Sequence, residues 1–360
     1  MPVNQNFPSD KKATKETINL FVNLKTLTGK GIMFGHQDDL AYGIDWQYVP
    51  GKSDVKTITG DYPAVYGWDL AGIELALETN LDGVPFDKMK GFILEGYTKG
   101  GVITISWHLG NPLTGGNAWD ITNGAVAAVL PGGSKHDLYR GYLDRLAVFM
   151  LDVKGKNGEL IPVLFRPFHE LTGDWFWWGK GACSPAEFKG LWKFTVNYLR
   201  NTRKVHNLLY VYNAAFFSRK KDFLERYAGN TYADIISFDA YQFDDPRVNN
   251  DFVADVDNRL LILEQVAREK NKITALAESG YETIPYAEWW TKCLWKAIVS
   301  HNISYVLVWR NAGLIDNNHW HYYVPKKGDV SEADFKKFYK LPGTLFQKNV
   351  TKEKLYQWKL

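Results

Sequence analysis

Eight short runs of β-branched and aromatic residues recur along the chain, and each closes on polar residues before a longer, helix-like stretch begins. The runs are "GIMFGHQ" from Gly31, "YPAVYGWD" from Tyr62, "GVITISWH" from Gly101 and "PVLFRPFHE" from Pro162. The second four are "LLYVYNA" from Leu208, "IISFDAYQ" from Ile235, "ITALAESG" from Ile273 and "VLVWRNA" from Val306. Continuous apolar runs suit parallel strands covered on both faces. Eight of them alternating with helices is the signature of a (β/α)8 TIM barrel of the α/β class. A doubly wound sheet would carry a glycine-rich phosphate fingerprint after its first strand, where this chain reads "GHQDDLAYG".

The intervals carry their own signals. "KHDLYRGYLDRLAVFMLDVKGKNG" spaces Leu138, Tyr142, Leu146 and Phe149 at threes and fours and stops near Lys154-Gly155. In "SPAEFKGLWKF", Ser184 is the expected N-cap, Pro185 stands in the first turn, and Glu187 follows three after the cap. "DFVADVDNRLLILEQVAREKN" begins with acids and ends with bases, matching the helix dipole. A single catalytic domain over 1–360 is expected, with an N-terminal helix about 10–29 and a closing helix and tail about 324–360.

Composition narrows the partners. A net charge of +3 without a basic block gives no footprint for nucleic acid. No apolar run approaches membrane-spanning length. Cys183 and Cys293 lack metal-ligand spacing and are expected to be packed thiols. Neither a His-x-His nor a His-Glu-x-x-His metal pattern is read from the chain, and "WHYY" near the end is read as unspaced for zinc, so neither a metal nor a cofactor is expected. The outlier is aromatic content, at 15% with 14 Trp. Trp offers flat apolar faces to a ligand as well as to a core.

In a barrel of this kind the chemistry lies at the C-terminal strand ends. Those ends supply Gln37, Trp68, Asp69, Trp107, His108, Arg166, His169, Glu170, Asn213, Asp239, Tyr241, Glu278, Trp309 and Arg310. Glu170 and Glu278 end the fourth and seventh runs. Two carboxyls across one mouth suit glycoside hydrolysis, with a gap of about 5–5.5 Å for retention and about 6.5–9.5 Å for inversion. Arg166, four residues before Glu170, is expected on the same inward strand face, where it would orient a carboxylate. Trp175, Trp177 and Trp178 follow on the loop above. For the last two, loop packing competes with ligand contact.

These residues resemble glycoside hydrolase family 26, chiefly β-mannanases, over nearly the whole chain. The Arg-Pro-x-His-Glu segment of "FRPFHELTGDWFWWG" is the most specific piece. The resemblance implies a general acid/base at Glu170, a nucleophile at Glu278 in "ALAESGYE", and Arg166 bonded to the nucleophile. It further implies sugar contacts at His108 and His169, a ring bordering the leaving sugar at Trp175, and Tyr241 near the nucleophile. Trp309 would be a platform under the reacting sugar, and Arg310 an anchor one sugar further. Trp119 in "NAWD" is a weaker match because loop length varies there.

The expected activity is cleavage of β-1,4-mannosidic bonds with retention, acting on β-mannan or mannooligosaccharides. The same mechanism on mixed-linkage β-glucan or β-1,3-xylan is one alternative, and a carbohydrate-binding protein that does not cleave is another. The long loops after the second and third strands would close the glycone end and favour release of mannobiose. The start, "MPVNQNFPSDKK", shows no signal-peptide core, yet a polymer substrate points to a secreted, periplasmic or cell-surface setting. A monomer is expected.

Overall fold

The computed structural model describes residues 7–358. Thr14 opens the first helix, α1 (Lys15–Leu27), by accepting a hydrogen bond from the Thr17 amide, as its short hydroxyl side chain favours. Eight parallel strands follow: β1 (Ile32–Gln37), β2 (Val65–Asp69), β3 (Val102–Ser106), β4 (Val163–Arg166), β5 (Leu208–Ala214), β6 (Ile235–Gln242), β7 (Ile273–Tyr281) and β8 (Tyr305–Val308). Each pairs with the next, and β8 pairs back onto β1 (Gly35 opposite Leu307), which closes the barrel. The helices between them include α2 (Phe86–Thr98), α3 (His136–Asp152), α4 (Pro185–Asn197) and α5 (Asp251–Lys270). Ser184 and Glu187 form the expected capping box at α4, each satisfying the other's backbone amide.

Inward residues, two apart on each strand, build the interior. Met33, Val65, Val102, Leu164, Leu209, Ile235, Ile273 and Tyr305 fill its lower layer. Leu20, Phe21 and Leu24 of α1 pack against that layer and close the N-terminal mouth. Each such buried side chain stabilises by roughly 1.5–3 kcal/mol. The upper layer turns polar, with Asp69, Ser106, Arg166, Asn213 and Asp239 all buried. A barrel with one mouth plugged by apolar side chains and the other lined by charges has one usable face.

Beyond β8 an antiparallel hairpin, β9 (Gly313–Ile315) and β10 (His319–His321), rises over the rim. The tail supplies a helix, α6 (Glu332–Tyr339), and then a short strand, β11 (Thr344–Leu345), that pairs with the lower end of β1 outside the closed barrel. No described helix is long and apolar enough to cross a membrane.

Candidate active site

β4 ends at Arg166 because Pro167 has no amide to continue the ladder. Glu170 therefore does not share a strand with Arg166, contrary to the period-two expectation. It sits in the following turn with φ at +53°, a backbone region that non-glycine residues seldom enter and that costs about 1–3 kcal/mol. Its carbonyl accepts from Gly173 N at 2.8 Å, and the next amide, Leu171 N, donates to Asn213 O at 3.2 Å. Backbone bonds to β5 and within the loop thus hold the strained turn in place.

Glu278 reaches the mouth by another route. Phe238 pairs with Leu276, but Asp239 pairs with Glu278, so Ala277 is an extra residue in β7. This bulge leaves Ala277 in the interior cluster and aims Glu278 inward beside Asp239. Arg166 Nη1 donates to Glu278 Oε1 at 2.7 Å, and the Tyr241 hydroxyl donates to Oε2 at 2.9 Å. One carboxyl oxygen from each of Glu170, Asp239 and Glu278 lies within 4.8 Å of the other two. The buried Arg166 guanidinium, 2.7 Å from Glu278 and 3.8 Å from Asp239, supplies the positive charge that such a group of acids needs.

A family model for glycosyl hydrolase family 26 matches residues 9–307. This chain belongs to glycosyl hydrolase family 26. A mannan endo-1,4-β-mannosidase of Bifidobacterium adolescentis is 35% identical over 352 residues, covering 92% of this chain and 34% of its own length. The chain therefore spans about a third of that relative. The solved structure of a family 26 β-mannanase from Bacteroides ovatus superposes with a TM-score of 0.91 at 43% identity, covering 96% of this chain and 98% of that one. A modular endo-β-1,4-mannanase of Cellulomonas fimi has a TM-score of 0.87 at 33% identity, with 98% and 80% covered.

The environment of this family 26 site separates its titrating groups. Burial, and then the neighbouring Glu278, push the Glu170 carboxyl up to about 7, although Trp175 Nε1 donates to its Oε2 at 2.6 Å and pulls the other way. Asp239 is raised well above the carboxylate range by burial and by Glu278. It keeps one bond from Asn213 Nδ2 at 2.6 Å. Burial and Glu278 likewise keep Tyr241 a hydroxyl donor.

Opposite these groups runs a second chain of contacts. Asp69 Oδ2 lies 2.8 Å from His108 Nδ1, and His108 Nε2 lies 3.1 Å from His169 Nε2. Burial alone would lower the pKa of His108, but the Asp69 carboxylate outweighs it and the result is upward. Burial, then the charge on His108, push His169 well down. The opposite shifts suit a hydrogen bond from His108 to His169, which holds the two rings together. Trp119 stacks on His108 at 5.1 Å between centroids, and Trp309 meets it edge-on at 6.5 Å.

Of the sequence-predicted residues, Arg166, Glu170, Trp175, Tyr241 and Glu278 gather around the carboxyls. His108, His169, Trp119 and Trp309 gather in a second group of rings centred on His108. Arg310 stands further along, its Nε 3.1 Å from Asp82 of the loop after β2, and its Nη1 3.3 Å from the Tyr42 hydroxyl. Trp177 and Trp178 resolve as packing. Both are fully buried, and their ring amides hold the carbonyls of Leu109 and His169 at 2.8 and 2.9 Å. Asp69 and Asp239 stood among the strand-end residues but not among the candidates for a role. Counting in twos from Val65 and from Ile235 turns both inward, and that was their signal. His319 and His321 were passed over although they form a His-x-His pair.

Proposed function

We propose that this chain hydrolyses β-1,4-mannosidic bonds of mannan, glucomannan or galactomannan with retention of configuration. The observation that carries the reading is the approach of the Glu170 and Glu278 carboxyl oxygens to within 4.8 Å. An approach this close suits the narrow gap of a retaining mechanism better than the wider gap of an inverting one. The names of the relatives support the substrate.

In this reading Glu278, oriented by Arg166 and Tyr241, attacks the anomeric carbon. Glu170 protonates the departing oxygen, and the leaving sugar passes beside Trp175. The glycosyl ester on Glu278 then removes the neighbouring negative charge, so the Glu170 pKa falls and its carboxylate takes a proton from water. His108, His169, Trp119 and Trp309 would contact the glycone sugars, and Arg310 the sugar beyond. The loop after β2 reaches across to β8 through the Asp82–Arg310 ion pair, which favours a closed glycone end and release of mannobiose. The unit works as one catalytic domain without a cofactor, as a monomer outside the cytoplasm, where its polymer is found.

The test compares initial rates on mannan, lichenan and β-1,3-xylan for the wild type and Glu278→Ala. Mannan should be the preferred substrate, and the substitution should lower the rate at least a thousandfold, the scale of losing a nucleophile. Tight binding of mannooligosaccharides without any product would instead favour a non-cleaving binder.

A further inference from the structure

A second cluster of ligand-type side chains sits on the rim, unused by the chemistry above. β10 carries His319 and His321 two residues apart, so both face one side of the strand. Glu282, just past the end of β7, lies under them. His319 Nε2 is 2.9 Å and His321 Nδ1 is 2.7 Å from the same oxygen, Glu282 Oε1. One donor atom from each of the three lies within 4.8 Å of the others. We propose that Glu282, His319 and His321 bind one divalent transition-metal ion of the zinc class.

The frame around the three is built. Thr283 N donates to Tyr322 O at 2.8 Å, which fastens β10 to the segment that carries Glu282. Gly313 and Ile315 pair with His321 and His319 across the hairpin. Thr283 and Ile284 turn with φ at +58° and +44°, so Glu282 precedes a sharp bend rather than a mobile stretch. Donors around a tetrahedral ion at about 2.0–2.1 Å stand about 3.3 Å apart, so Glu282 needs to back away by about half an ångström. Glu282 and His319 are exposed enough to make that movement and to admit the ion, with side-chain accessibilities of 35% and 55%.

The donor set selects the ion. Two imidazole nitrogens and one carboxylate oxygen suit zinc and its neighbours, while magnesium and calcium require shells of oxygen. Three protein ligands leave a fourth position for water. A run of ring contacts leads from the site toward the carboxyls. The His321 ring meets Tyr323 edge-on at 5.2 Å, Tyr323 meets Tyr241 at 5.8 Å, and Tyr241 bonds Glu278. Gly280 makes this possible, because a Cβ there would stand 2.2 Å from the Tyr323 ring. A bound ion pins the hairpin at the outer end of that chain.

Zinc chloride titrated calorimetrically into chelator-stripped protein should show one equivalent bound and a rise in Tm. The double variant His319→Ala/His321→Ala should lose both responses while cleaving mannan, in chelator, within about twofold of wild type. Cobalt(II) loaded into the wild type should give the intense visible bands of a tetrahedral site. The absence of zinc binding by the wild type would overturn the proposal. So would equal binding by the double variant, which would place the ion at Glu170, Asp239 and Glu278, or the weak spectrum of octahedral cobalt. These readouts separate it from the hydrolytic reading, since zinc can bind the rim whether or not the chain cleaves mannan.

Discussion

An acid that gives up a proton and later takes one back needs a pKa near its working pH, and the opposed neighbours of Glu170 suit it to the acid/base role proposed for it. Burial and Glu278 lift its pKa, while the Trp175 ring amide steadies the charged form and lowers it. In the proposed mechanism the protonated form protonates the leaving oxygen, so kcat/KM should fall as pH rises through about 7. Trp175→Phe keeps a ring in place and removes the donor. The ionised form then loses support, and the alkaline limb should move to higher pH by about half a unit to one unit, since one pKa unit is about 1.4 kcal/mol. A pH–rate profile on a soluble mannooligosaccharide reads the shift directly, and an unmoved limb would assign it to another group. At this scale much was legible: Arg, His, Glu and Tyr at the ends of apolar strands have no reason in stability alone. The roles of Trp177 and Trp178 were not legible, because whether a ring faces ligand or protein depends on carbonyls of Leu109 and His169, one of them remote in sequence.

Elements place these side chains with devices of differing visibility. The capping box at α4 could be read because it lies within four consecutive residues. Ser184→Ala should cost about 1 kcal/mol of stability. Urea unfolding checks it, and mannan hydrolysis should be unchanged since α4 lies outside the cleft. The bulge at Ala277 could not be read, since a bulge is defined by the partner strand and local alternation is blind to it. The turn at Glu170 was misread as strand for a related reason. "PVLFRPFHE" is apolar enough to be a strand throughout, and Pro167 was the signal to stop. The pairing of β11 with β1 also depends on contacts distant in sequence.

Across the whole molecule, the barrel was legible from eight repeats of one pattern, and closure follows from pairing β8 with β1. The reach of the rim loops was less so. Glu74, after β2, accepts from the Trp107 ring amide and from Gly110 N, both at 3.0 Å, and so joins the second and third loops. With Asp82 tied to Arg310, these loops wall one end of the cleft. Mannobiose should accordingly dominate the earliest products from mannan on a sizing column. Asp82→Ala should shift those products toward longer oligosaccharides, while an even spread from the wild type would show an open cleft.

The central claim is that Glu278 forms a covalent bond to the sugar while Glu170 serves as acid and base. An activated 2-deoxy-2-fluoro-β-mannoside slows both steps, and its good leaving group restores the first, so the ester accumulates. Peptide mass spectrometry of the inactivated protein should find one fluoromannosyl group on Glu278. A label on Glu170 or Asp239, or turnover without a label to an inverted product, would contradict it.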